Sequence, residues 1–409
     1  MRRLTILFSS LLVVLLVLPA FVHAFGDEVV IGFMVPLTKK GASYGVQSRA
    51  ATDVAVEEIN AKGGIGGRKL VVITKDSEGD NALAIQLARQ LIEKDQVVAI
   101  HGPQWSAEAE AVFPICDRVK VLCFSPTSTK PGVSAPYDWA FRNTVDENVL
   151  VPQTLAWLKK HYPWVKTAAI MTDIKDAYSK SLGHDTFRPK LKEFGIEVVE
   201  SVDYVTGDTD FSAHITKIKA KNPDVIAIGG TWVESANMMK EAEKQDLKVL
   251  WVGGVGFGNA RIMENAGAAA EGAIHNATYD KDDPREMNQS YIKRLLEKVP
   301  NETPHWPAAN CYDAMRILAS AIEQAKIDNT AKSLATDRKK VRDALAQIKD
   351  FPGLTSADGK ITMIDKGPDG KHQGDAVKQG TLIQVQNGKF VPVGDGKATG
   401  LQLSWMTGR

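Results

Sequence analysis

From residue 25 onward the chain alternates between two hydrophobic periods. Short unbroken apolar runs at 29–35, 70–74, 97–100 and 121–124 have the length of strands buried on both faces of a parallel sheet. Between them, 44–61, 81–94 and 106–119 repeat apolar positions every three to four residues, as amphipathic helices do. A short strand at 139–142 closes the series, and the pattern then restarts. Strands at 168–172, 198–204, 225–228 and 249–252 alternate with helices at 148–161, 179–194, 211–221 and 234–244. Two successive β-α series predict an α/β protein of two doubly wound parallel-sheet lobes with a cleft between them. Beyond residue 273 the order changes. A crossing strand at 275–279 precedes helices at 284–298, 308–326 and 333–348, then short β segments at 360–363, 381–386 and 389–393. A chain crossing between lobes three times, near 142–144, 276–279 and 351–355, accounts for the shift. The lobes expected are residues 25–143 with 279–352, and 144–278 with 353–409. Residues 394–409 carry little pattern and are expected to be a loose tail.

One stretch concentrates candidate chemistry: QVVAIHGPQWSAEAEAVFPICDRVKVLCFSPTSTKPG, residues 96–132. Gly102 and Pro103 end one buried strand, and Ser106 is placed to N-cap the helix that follows. The next strand opens into Ser125-Pro126-Thr127-Ser128-Thr129. Both turns follow strand C-termini, where open α/β sheets hold ligands. One offers free N–H groups at a helix N-terminus, the other hydroxyls. Side by side they predict a small-anion pocket.

Residues 1–24 have the form of a secretory signal: Arg2 and Arg3, an apolar run from Leu4 to Leu18, and Val22-His23-Ala24 at the cleavage site. An uncleaved anchor is the alternative, since the run approaches membrane-spanning length. The formal charge of +1 argues against nucleic acid as partner. Cys116 and Cys123 fit either a disulfide or two buried thiols, and Cys311 lies on an apolar helix face with Met315. The histidines show no metal spacing, and His101 is expected as a polar turn residue. Asp365 to His372 lacks the alternating acids of a calcium loop and is expected to be a turn. The glycines at 63, 64, 66 and 67 follow a helix, as a C-cap does, instead of a strand as a nucleotide fingerprint requires. No GxSxG elbow or Cys–His pair points to a hydrolase. No cofactor is implied.

Several segments in order carry a family likeness: GFMVPLT at 32–38, EEINAKGGI at 57–65, His101-Gly102-Pro103, Ser125-Pro126, Phe141-Arg142-Asn143, Gly253-Gly254-Val255-Gly256 and Tyr312-Asp313-Ala314. The chain resembles the periplasmic ligand-binding proteins of ABC importers, in the branched-chain amino-acid (Leu/Ile/Val-binding) family with the type I fold. The resemblance covers nearly the whole chain after residue 24. It implies two lobes joined by a three-strand hinge, a small-molecule ligand in the cleft, an ABC permease complex in the inner membrane as partner, and no catalysis. A ligand-sensing receptor of the same fold is the runner-up. A periplasmic monomer is expected.

The resemblance also assigns ligand contacts. Ser106 matches a serine that holds the ligand carboxylate, and Ser128 and Thr129 match positions binding carboxylate and ammonium. Tyr44, Tyr178 and Trp232 match aromatic wall positions. Trp105 is placed either to stack on the ligand or to cover the lobe edge, and Trp306 to pack the core or hinge. The family's ammonium-pairing carboxylate falls on Val255. With that charge missing, a carboxylate or amide with an apolar or aromatic body is expected in preference to leucine, unless Glu108 or Asp176 replaces it.

Overall fold

The computed structural model describes residues 25–39, 41–394 and 400–406; the signal-like segment 1–24 lies outside them. β1 (Glu28–Val35) is buried from Val29 to Val35, as a central parallel strand must be. The helix α1 (Ala42–Ala61) returns over the sheet to β2 (Lys69–Asp76), α2 (Asn81–Arg89) leads to β3 (Ala99–His101), and α3 (Ser106–Val119) to β4 (Leu122–Ser125) and β5 (Ala140–Arg142). All five strands are parallel, in the order β2-β1-β3-β4-β5. Gly45 allows α1 to start against the end of β1, because a Cβ there would lie 1.8 Å from the Pro36 carbonyl oxygen.

The second series repeats the scheme. α4 (Glu147–His161) leads to β6 (Thr167–Asp173). α5 (Ala177–Lys180) runs through a wider helical segment, Ser181–Phe187, into α6 (Arg188–Glu193). β7 (Glu197–Tyr204), α7 (Ser212–Lys219), β8 (Val225–Gly229), α8 (Trp232–Lys244), β9 (Leu250–Gly253), α9 (Arg261–Ala266) and β10 (Ile274–Ala277) follow. The chain then goes back to the first sheet. α10 (Glu286–Lys298), α11 (Trp306–Ala325) and α12 (Leu334–Leu345) cover it, with α11 packed along α1. β11 (Phe351–Pro352), β12 (Lys360–Lys366) and β13 (His372–Val377) form a small antiparallel sheet of their own. β14 (Thr381–Gln386) and β15 (Lys389–Pro392) complete the second sheet, ordered β15-β14-β10-β9-β8-β6-β7.

The α/β class and the two largely parallel sheets agree with the sequence reading, but β14 and β15 join the second sheet antiparallel, and several other details differ. The sequence reading groups residues 353–377 with the second lobe, yet β13 is fastened to the edge of the first sheet. There Arg142 meets both carboxylate oxygens of Asp375 at 2.5 and 2.9 Å, and Ser134 donates to the Gln373 carbonyl at 2.6 Å. The third passage between sheets therefore falls between β13 and β14, not at 351–355. The tail is not loose over 400–406: Tyr162 donates to the Leu401 carbonyl at 2.8 Å, Leu401 N–H to Gln384 at 2.8 Å, and Trp405 meets Trp164 edge-on. His101 is not a turn residue but a fully buried member of β3, its ring 4.5 Å from that of Phe33. Burial pushes its imidazole down to about 3, so it is neutral core. Cys116 and Cys123 are both buried thiols, and the Cys123 Sγ–H donates to the Gly102 carbonyl at 3.2 Å. Within the 365–372 segment the turn joining β12 to β13 is 367–371, closed by Gly367 N–H to the Lys371 carbonyl at 2.9 Å, while Asp365, Lys366 and His372 belong to the strands.

Candidate ligand-binding cleft

A cleft of about 490 Å3, counted out to its open mouth, lies between the C-terminal ends of the two parallel sheets. Its wall on the first sheet's side comes from Tyr44 on α1, from Gln104, Trp105 and Ser106 where α3 begins, from Thr127 and Thr129 after β4, and from Trp306 and Pro307 where α11 begins. Facing them are Tyr178 on α5, Thr231 before α8, and Val255 and Gly256 after β9. Among the described residues, no acidic side chain lines it. The helices α1, α3, α8 and α11 all start at this space, so their partial positive ends converge on it.

The two turns of the 96–132 stretch are stitched together. Ser125 donates to the Pro103 carbonyl at 2.6 Å, and Thr127 to the Gln104 carbonyl at 2.8 Å. The N-cap is not the residue expected: Trp105 holds that place, and Ser106 is the first helical residue. The Ser106 oxygen instead accepts from the Ser128 hydroxyl at 3.1 Å and from Lys130 N–H at 3.3 Å. Both lone pairs being occupied, its proton is left to donate into the cleft. Arg142, fully buried, holds this loop from behind by donating to the Ser128 and Lys130 carbonyls at 3.3 and 2.6 Å. The result is a hydroxyl donor beside a helix N-terminus, the arrangement that binds an anion.

On the other side a buried carboxylate organises the wall. Glu147 Oε1 accepts from the Tyr178 hydroxyl at 3.0 Å and from Val255 N–H at 3.2 Å, while Oε2 accepts from Asn276 at 2.9 Å. Gly256 N–H donates to the Tyr178 oxygen at 3.1 Å. Position 254 has no room for a side chain, since a Cβ there would lie 2.5 Å from the Tyr178 hydroxyl and 2.7 Å from Glu147 Oε1. Burial raises the Glu147 carboxyl to about 7 against the pull of its three donors, and holds the Tyr178 phenol well above its ordinary value.

Of the residues expected from sequence, Tyr44, Trp105, Ser106, Thr129, Tyr178 and Val255 line the cleft together. Ser128 lies behind it, acting through Ser106. Trp232 does not line it. This first residue of α8 packs half-buried on the core of the second sheet, and its neighbour Thr231 faces the cleft instead. Neither Glu108 nor Asp176 is part of the lining; Asp176 caps α5 by accepting from Ser179 N–H at 2.9 Å. Sequence reasoning places Thr127 in the hydroxyl turn without singling it out, misses Gln104, Thr231, Gly256 and Pro307, and gives Trp306 to the core or hinge. Thr231 follows β8 as Ser106 follows β3, so the same strand-end rule points to it. Glu147 gives no signal beyond that of an ordinary first-turn acid.

The profile of the periplasmic binding protein family matches residues 28–389. The Leu/Ile/Val-binding protein BraC3 of Rhizobium johnstonii is 28% identical over 364 residues, 88% of this chain and 93% of that one. The leucine-binding protein LivK of Thermotoga maritima superposes with a TM-score of 0.78 at 26% identity, covering 89% of this chain and 97% of its own. The branched-chain amino acid transporter substrate-binding protein LivJ of Streptococcus pneumoniae, solved with isoleucine, gives 0.77 at 26%, covering 89% and 99%. The chain belongs to the periplasmic binding protein family.

Proposed function

We propose that this protein captures a small monocarboxylate with an apolar body and delivers it to an ABC permease in the inner membrane. The observation that carries the reading is the N-terminus of α3, with the Ser106 hydroxyl turned into a cleft that, among the described residues, no acidic side chain lines. The ligand carboxylate sits there, between Ser106 and Thr129, and its body rests on Tyr44, Trp105, Tyr178 and Trp306. Relatives named for leucine, isoleucine and valine support a ligand of this size and acidity. The two sheets act as lobes that close over the ligand like a flytrap, with the 353–377 segment moving with the first. The protein works as an exported periplasmic monomer, binds without catalysis, and uses no cofactor.

A thermal-shift screen on ligand-stripped protein tests this, because a ligand that binds only the folded state raises the melting temperature. Aliphatic or aromatic monocarboxylates, with or without an amino group, are expected to stabilise it. A screen in which only sugars, polyamines or metal ions shift the melting temperature would refute the reading.

A further inference from the structure

We infer that a second cavity, on the far side of Trp306 from the ligand cleft, binds a small uncharged molecule with a hydroxyl group on an apolar body, and that its occupant fastens the two sheets' sides to each other. The site stands apart from the carboxylate-capture reading and does not depend on it.

The cavity has about 500 Å3, counted like the cleft out to its open mouth. Residues 303–306, at the start of α11, form its wall on the first sheet's side. Gly258 and Ala260 before α9, Ala277 on β10, Ile383 on β14 and Phe390 on β15 form the facing wall. The more exposed residues 280–282 stand beside them on the second passage. Among the described residues, Trp306 alone lines both this cavity and the cleft.

Two buried polar atoms of the cavity's lining residues, His275 Nε2 and Trp306 Nε1, have no hydrogen-bond partner among the described residues. His275 Nδ1 lies 2.8 Å from the Asn276 carbonyl, which can only accept, so Nδ1 carries the proton. Burial pushes this imidazole down to about 4, so the ring is neutral and Nε2 offers a lone pair. The ring stands edge-on to Phe390, centroids 5.1 Å apart. The Trp306 indole is the complementary donor. A Cβ on Gly258, which lines this cavity and not the cleft, would lie 3.1 Å from Nε1, so the N–H edge of the indole is on the cavity's side. A buried donor and a buried acceptor left unmade are both costly, and an occupant that pairs with them recovers that cost. A hydroxyl gives its proton to the one and accepts from the other. A carboxylate brings no proton for His275 and meets Asp280 and Asp282 beside it, and an ammonium brings no acceptor for Trp306. Because the walls come from both sheets' sides, an occupant holds those sides together.

Phenol is the probe, titrated into ligand-stripped, 15N-labelled protein and read by the indole N–H signals, with that of Trp306 assigned through Trp306→Phe. The Trp306 signal is expected to shift saturably. Toluene, which lacks the hydroxyl, should bind at least tenfold more weakly. His275→Phe removes the acceptor and keeps an apolar ring, and should weaken phenol binding by tenfold or more. Ala260→Leu fills the cavity from a partly exposed position outside the cleft, should have the same effect, and carries the test if the His275 variant does not fold. No saturable shift up to the solubility of phenol would mean that the cavity holds water only, and overturns the site. Phenol binding unchanged in the variants would place phenol in the cleft and overturn it equally. Equal affinities for toluene and phenol would overturn the hydroxyl requirement. Small-angle scattering should show phenol lowering the radius of gyration of wild type and not of Ala260→Leu; a constant wild-type radius at saturation would overturn the fastening. Each of these results is independent of carboxylate binding at Ser106, which the thermal-shift screen tests by itself.

Discussion

Lys378 Nζ donates to the backbone carbonyl of Asn143 at 2.5 Å, joining segments 235 residues apart in sequence. Asn143 lies on the first passage between the two sheets and Lys378 on the third. The same ammonium reaches Asn310 Oδ1 at 2.8 Å and the Thr355 hydroxyl at 2.6 Å, and Asn310 in turn donates to Thr278 on the second passage at 3.1 Å. One buried side chain therefore ties together all three strands of chain that link the sheets. Replacing it, as in Lys378→Met, strips donors from buried acceptors and should cost about 2–5 kcal/mol of folding stability. Urea denaturation near neutral pH checks this; a loss below about 1 kcal/mol would mean the contacts are incidental.

The same lysine gives a pH signature. Burial lowers it to about 7 from 10.5, with Asp313 nearby opposing the shift. Between those values the unfolded chain holds more protons than the folded one, so stability rises with pH across that window. The methionine variant should lose this rise. Equal slopes above pH 7 in the two proteins would contradict it.

Glu147 predicts the opposite slope at lower pH. Its carboxyl is raised from 4.5 to about 7, and it faces Tyr178, Asn276 and the Val255 amide, with Asp146 beside it paired to Arg142. From pH 4.5 to 7 the folded empty protein holds more protons than the unfolded chain, so stability falls as pH rises, by about 2–3 kcal/mol over the window. Glu147→Gln should flatten that fall, as measured by urea midpoints at a series of pH values.

Much of this organisation is legible in sequence because burial on both faces forces a strand to be apolar throughout. The 97–100 and 121–124 runs correspond to β3 and β4, and the hydroxyls after the second run to a turn that lines the cleft. The second wall is less legible. Trp306 reads as a core residue since it opens an apolar helix, and only the tertiary approach of α11 to the strand ends brings it to the cleft. Trp232 shows the converse: its type suits an aromatic wall, but the helix starts at that residue and turns it onto the second core. The sequence also suggests that a charge is missing at Val255. A carboxylate does meet that residue, through its backbone N–H, from a glutamate 108 positions earlier. No local pattern records such a contact.

Ser106→Ala should weaken ligand binding by about 1–3 kcal/mol, the value of a hydrogen bond to a charged acceptor. Folding stability should change less, because Ser128 and Lys130 lose only an acceptor that ligand or water replaces. Unchanged affinity in both Ser106→Ala and Thr129→Val, measured by calorimetry with a ligand found in the screen, would remove the anion site from this turn.

The Tyr44 hydroxyl spans the cleft to the Gly256 carbonyl at 3.4 Å, a long contact for a hydrogen bond whose oxygen partners usually stand near about 2.8 Å. It joins α1 on the first sheet's side to the turn after β9 on the second, so it exists only when the two sides are close. If ligand draws the lobes together, this contact forms late and weakly. Tyr44→Phe should then reduce affinity by less than about 1 kcal/mol, mainly through faster release, whereas Ser106→Ala acts on capture itself. Small-angle scattering on stripped protein should show a radius of gyration that falls when ligand is added, in wild type and in Tyr44→Phe alike. A radius that stays constant at saturation would show that binding proceeds without closure. The Tyr44 contact would then be a fixed part of the wall, and its loss should slow capture as much as it speeds release.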